Sequence, residues 1–206
     1  MARFLEAAIL ANLNILVCGS ALSGKSTFLS AFINLIPDKN RIIVNDTDSS
    51  INIKRDNIIN VNNINLDYLN NLYPDNIIIS SIDNNVLNNI IYMNKHKGII
   101  SAYTTNKEDY FDDITNEILV TNPLLNKELI TYYLLNSVDL IVYLEKMPDN
   151  KIKMRSIREI DNNKLRMIFS YQDDEFKLYN FIPNTYKIIK DKGINMIDDI
   201  FKGDNK

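Results

Sequence analysis

The stretch VCGSALSGKST, residues 17–27, contains Gly-x-x-x-x-Gly-Lys-Ser, the spacing of a phosphate-binding loop. Its flanks decide what the spacing means. Before it, LNILVC (13–18) is a short apolar run bounded by Asn and Gly, which predicts a buried strand. After it, STFLSAFINLI (26–36) puts Phe28, Leu29, Phe32, Ile33 and Ile36 at helical spacing, and Pro37 stops the helix. Strand, loop and helix therefore stand in the order a phosphate loop requires. In such a loop the backbone N–H groups converge on phosphate oxygens, and the helix presents its positive N-terminus. Gly19 and Gly24 allow the sharp turn and the close approach to ligand. Lys25 would reach the β and γ phosphates and the Ser26 hydroxyl would ligate Mg2+, with ATP the expected nucleotide. Ser20, Ala21, Leu22, Ser23 and Thr27 complete the binding segment; the absence of a third glycine predicts a stiff loop. The competing reading is a chance Gly-Lys-Ser at a helix N-cap, against which the flanking elements weigh.

Farther out, RIIVND (41–46), NIIIS (76–80), GIISAY (98–103) and VDLIVYL (138–144) are short, rich in Ile and Val, and nearly continuous in apolar character. Strands covered on both faces have that character. Helical stretches are expected between them at 66–73, 86–94, 109–120 and 127–136. Alternating strands and helices predict an α/β fold with a mostly parallel sheet flanked by helices. From residue 151 the pattern changes. KIKMRSIREI, KLRMIFSY and FKLYNF nearly alternate between polar turns, predicting a small antiparallel C-terminal extension. The expected division is a nucleotide-binding domain over 1–160 and an extension of the same domain over 161–206, with a final helix after Asp191.

Composition narrows the function classes. The chain has 206 residues, 46% hydrophobic and 24% charged, as in an ordinary soluble protein, and its net charge of −3 offers nucleic acid no general attraction. No direct contact with nucleic acid is expected. A single cysteine, Cys18, sits in an apolar run and suits a reducing interior. No apolar stretch approaches the roughly 18 residues of a membrane span, and Glu6 interrupts what a signal peptide would keep apolar. A cytoplasmic location is the expectation. The 33 Ile interleave with the 31 Asn, so the Asn bias does not predict disorder.

With the loop placed, FLEAAILANLNILVCGS, LIPDKNRIIVNDTD, YPDNIIIS, KHKGIISAYTTN and LLNSVDLIVYLEKMPDNKIKMRSIREI fall into a familiar order. Over residues 4–160 the chain resembles the type II/IV secretion ATPase family, especially its conjugation and Tad/Flp pilus branch. The resemblance implies a RecA-like P-loop NTPase fold and a hexamer that uses ATP to drive pilus assembly or substrate transfer at the inner face of the membrane. A separate N-terminal domain, which helps close the site in that family, is not expected in this chain.

Three of the family's catalytic boxes are altered. Its acidic Glu-Asp pair is Asn45-Asp46 here, the Gly-Glu that ends its Walker B strand is Ser80-Ser81, and its two-histidine box is Lys95-His96-Lys97-Gly98 followed by Ser101-Ala102-Tyr103-Thr104. Hydrolysis needs a water held in line with the γ-phosphate and a group to orient and deprotonate it. Neither an amide nor a hydroxyl is a useful base at neutral pH. Asp46, Asp83 and His96 are the remaining catalytic candidates. Asp46 also reads as a turn residue, Asp83 as a turn or helix cap, and His96 as part of a solvated loop in which Lys95 and Lys97 could serve a neighbouring subunit. Arg41 reads equally as a solvent or neighbour contact, Asp139 as structural, Glu145 and Lys146 as surface, and Cys18 as core.

Four functions are compatible with these residues. The first is an ATP-binding subunit with impaired or absent hydrolysis, working as a homo-hexamer or beside an intact secretion ATPase in a membrane-associated apparatus. The second is an active motor in which Asp46 and Asp83 replace the lost carboxylates. A small-molecule P-loop kinase would need an arginine-rich lid, and arginine gathers only at Arg155, Arg158 and Arg166. The fourth is a relic that binds no nucleotide.

Overall fold

Short isoleucine-rich segments pair side by side because each can bury both of its faces. The computed structural model describes residues 1–82, 86–108, 110–162, 164–172 and 175–201. Its strands are β1 (Ile15–Gly19), β2 (Ile42–Asn45), β3 (Ile58–Val61), β4 (Asn76–Ile79), β5 (Ile99–Thr104), β6 (Leu140–Lys146), β7 (Ile152–Asp161), β8 (Lys164–Gln172) and β9 (Glu175–Leu178). They form one sheet in the order β3-β2-β4-β5-β1-β6-β7-β8-β9. Pairing is parallel from β3 to β6 and antiparallel from β6 to β9. The expected mostly parallel sheet with an antiparallel C-terminal part is what forms. β3 is an addition to the expected strands; it is a half-exposed edge strand in an Asn-rich segment.

Alternation along the strands sorts the helices into two layers. Val17, Val44, Ile78, Ala102 and Val142 face one core with α1 (Ala2–Leu10), α2 (Lys25–Ile33), α7 (Asn184–Asp191) and α8 (Asp198–Phe201). Cys18, Ile43, Ile79, Tyr103 and Tyr143 face the other with α3 (Leu66–Asn70), α4 (Val86–Tyr92), α5 (Tyr110–Thr121) and α6 (Lys127–Ser137). Among the described residues no helix is long and apolar enough to cross a membrane.

Polar side chains fasten the N-terminal edge of the parallel strands. Asn14 donates to the carbonyls of Asn94 and Ser137 (2.7 Å each) and accepts from the N–H groups of Lys97 and Ile99 (3.1 and 3.0 Å). Asp139, 2% exposed, accepts from the N–H groups of Asn14 and His96 (2.8 and 3.1 Å). A buried polar group is tolerated when it is bonded this fully. These bonds join the starts of β1, β5 and β6, so the opposite edge, where the chain leaves each strand, is held in register.

Candidate functional site

At that C-terminal edge β1 ends in Gly19, and the chain turns through residues 20–24 into α2. The turn takes two left-handed residues, Leu22 (φ 63°) and Gly24 (φ 83°). Gly24 suits that conformation, whereas Leu22 adopts it at a cost and stands 83% exposed. A Cβ on Gly19 would lie 2.4 Å from Ser23 Oγ and 2.5 Å from the Leu144 carbonyl, so the loop is pressed against β6. A Cβ on Gly24 would meet Ile152 at 2.7 Å. Ser23 is buried beneath the turn, and its N–H donates to the Ser20 carbonyl (3.2 Å). Lys25 opens α2 and its ammonium donates to the carbonyls of Gly19 (2.9 Å) and Ser20 (2.8 Å). The ammonium is thus folded over the loop. Helix geometry aims the first N–H groups of α2 at the same space.

These residues fit the phosphates of a nucleoside triphosphate: a tight turn that ends in a left-handed glycine, a helix N-terminus and a lysine. Ser26, partly exposed in the first turn of α2, is where a magnesium ion would be held. Ala21 and Thr27 are exposed on the rim.

Of the segments compared with the family's three boxes, the last residue of the third, Thr104, stands beside Gly19, and the others lie farther along this edge or off it. Between β1 and β2 stand β5 and β4, so at the usual strand spacing the end of β2 is about 14 Å from β1. There Asn45, 6% exposed, donates to the Ile64 carbonyl (2.7 Å) and accepts from the Ile64 N–H (3.2 Å). Asp46 accepts from the Ile51 N–H (2.7 Å) and the Ser50 hydroxyl (3.3 Å), closing its own turn. Ser80 accepts from the Thr47 N–H (3.2 Å), and the Ile82 N–H donates to the Ala102 carbonyl (2.9 Å), so the chain follows β5 beyond β4. Asp83 lies outside the described residues.

His96 is at the wrong end of the sheet to meet the loop of its own chain. It precedes β5, whereas the loop follows β1, and the two strands are parallel with Ile15 beside Ile100 and Gly19 beside Thr104. Five residue steps from Ile99 to Thr104 put roughly 17 Å between the two edges. The ring Nδ1 lies 3.1 Å from Asp139 Oδ1, and the residue has a left-handed φ of 60°. Its partners hold the polar edge together. Asp139 has the structural place expected of it, Cys18 is fully buried, and Arg41 donates its N–H to Asp75 (2.7 Å).

The β5–α5 connection brings residues to the loop that the sequence reading passed over. Thr105 donates its N–H to the Gly19 carbonyl (3.1 Å) and its hydroxyl to Asp113. Lys107 pairs with Asp113 (2.7 Å) and Glu108 with Arg158 (2.7 Å). The hydrogen bonds from Lys107 and then Thr105 hold the Asp113 carboxyl below the usual carboxylate range. Burial, with Glu145 and Glu108 nearby, pushes the Tyr143 hydroxyl up. Arg155, Arg158 and Arg166 lie on β7 and β8, paired with Glu145, Glu108 and Asp161 in turn. They form part of a sheet, unlike a mobile kinase lid.

Known structures share this architecture. The chain superimposes on the VirB11 ATPase of the Brucella suis type IV secretion system, solved in complex with sulphate, with a TM-score of 0.68 and 18% identity, covering 79% of this chain and 52% of that one. It matches the DotB ATPase of Legionella pneumophila with a TM-score of 0.52 at 13% identity, covering 79% of this chain and 49% of that one. For the DotB ATPase of Yersinia pseudotuberculosis the TM-score is 0.55 at 12% identity, over 79% and 47%. The chain spans about half the length of the structures it matches. No protein-family model matches the sequence, and no curated protein does. The shared feature is the fold, a mostly parallel α/β sheet flanked by helices.

Proposed function

We propose that this chain is an ATP-binding P-loop subunit of a type II/IV secretion or pilus assembly machine, with impaired or absent hydrolysis. The observation that carries the reading is a contrast at one sheet edge. The phosphate loop keeps its glycines, its lysine and its helix, while Asn45, Asp46 and Ser80 are committed to backbone groups of neighbouring turns. Binding groups are assembled; a carboxylate aimed at the loop from β2 or β4 is not among the described residues. The likeness to VirB11 and DotB supports the kind of machine, and the subunit acts in the cytoplasm at the membrane face as a homo-hexamer or in co-assembly with an intact ATPase.

Two measurements test this. MgATP at about a hundred times its dissociation constant adds about 2.7 kcal/mol to the stability of a protein that binds it. The expected result is a raised melting temperature in the wild type and none in Lys25→Ala. A single-turnover assay with labelled ATP is expected to show no product beyond the Lys25→Ala background. Hydrolysis that disappears in both Lys25→Ala and Asp83→Ala would overturn the proposal in favour of an active motor.

A further inference from the structure

The β5–α5 connection is fixed at both ends. At its start Thr105 shares the Gly19 carbonyl with Lys25: the Thr105 N–H donates at 3.1 Å and the Lys25 ammonium at 2.9 Å. At its far end Glu108 accepts from the Ser156 hydroxyl (2.7 Å) and pairs with Arg158, both on β7. Since β1 and β6 lie between β5 and β7, the connection crosses the ends of β1 and β6 as a strap beside the loop. Lys107 sits between the anchors. Its N–H donates to the Thr105 hydroxyl (3.1 Å), and its ammonium rests on Asp113 (2.7 Å) with the side chain 65% exposed.

We propose that Lys107 is a second phosphate-binding cation, parked on Asp113 and able to turn onto the terminal phosphate of a nucleoside triphosphate held in the loop. The inference rests on the nucleotide-binding reading above and names a residue that reads the length of the phosphate chain. Three features support it. The lysine stem is long and flexible, and here it is solvated. The lysine end of this pair is open to solvent, 65% exposed against 22% for Asp113, so a multiply charged phosphate competes with one carboxylate for an accessible ammonium. Asp113 keeps the Thr105 hydroxyl as a partner when Lys107 leaves, and Thr105 ties the strap directly to the loop carbonyl under Lys25.

Calorimetric titration in the presence of Mg2+ tests this with the β,γ-imido analogue of ATP and with ADP, on the wild type, Lys107→Met and Lys107→Arg. Lys107→Met is expected to weaken the triphosphate analogue about tenfold and ADP less than about twofold, while Lys107→Arg keeps the wild-type preference. A melting temperature for each variant reports that it is folded. Equal weakening of both nucleotides by Lys107→Met, or of neither, overturns the inference and leaves nucleotide binding standing. A wild type that takes up neither nucleotide overturns the binding reading itself, and the role of Lys107 with it.

Discussion

Asn45 uses both ends of its amide on one residue, donating to the Ile64 carbonyl and accepting from the Ile64 N–H. A carboxylate at this place keeps only the second bond and turns a lone pair toward the carbonyl. Asn45→Asp is therefore expected to lower stability at pH 7 by about 1–3 kcal/mol, and to restore no hydrolysis. The sign with pH follows from the missing donor. Protonation returns an O–H to bond Ile64, so the folded form takes up the proton more readily than the unfolded one, and the deficit shrinks as pH falls. Urea unfolding at pH 7 and pH 4.5 measures both effects; a deficit that grows on acidification contradicts the assigned bonds. Leu22 presents the reverse case. A leucine in the left-handed region costs about 1–2 kcal/mol that glycine does not bear, and no core packing is lost because the side chain is exposed. Leu22→Gly is expected to raise the urea midpoint, and an unchanged or lowered midpoint would show that the loop holds Leu22 by contacts worth more than the backbone strain.

Element α2 carries the lysine and serine of the loop at one end and depends on a distant arginine at the other. Arg55 donates to the carbonyls of Ile33 (2.6 Å) and Ile36 (3.0 Å) and pairs with Asp38 (2.6 Å), so a cation closes the negative end of the helix. Arg55→Ala is expected to cost about 2 kcal/mol in urea unfolding and to weaken MgATP binding far less than Lys25→Ala. This arginine was not legible, because nothing in the sequence brings residue 55 back to residue 33. The loop was legible because strand, turn and helix are contiguous there. The parallel strands were legible because burial on both faces leaves a continuous apolar run, and β3 was missed because an edge strand with exposed Asn60 carries no such run. Thr105, Lys107 and Asp113 became neighbours of the loop only through the insertion of β5 beside β1, which is a property of strand order. His96 was separable in principle. It stands before β5 while the loop stands after β1, and in a parallel pair those positions belong to opposite edges.

For the whole molecule, the question is whether the antiparallel C-terminal part is an appendage or part of one folding unit. β7 runs from Ile152 to Asp161 and so crosses the boundary drawn at residue 160, and it pairs with β6 over Ile152–Glu159 and with β8 over Ser156–Asp161. The first core joins the two ends of the chain as well. Phe4 of α1 lies 5.6 Å from Phe169 of β8 and 5.5 Å from Phe201 of α8, ring to ring. Glu159 is fully buried in β7 and accepts from the Thr185 N–H (2.9 Å) at the start of α7. A C-terminal part that melts first would expose Phe169 and Phe201 and leave Phe4, which is fully buried, without its partners. That loss falls on the N-terminal helix, so the two parts should unfold together. Phe4→Ala is expected to cost about 3–5 kcal/mol. Amide exchange of Ile168 and of Val44, at opposite sides of the sheet, should then rise by the same factor, because both open only with the whole molecule. Faster exchange at Ile168 alone would make the C-terminal part a separate unit that the parallel sheet outlives.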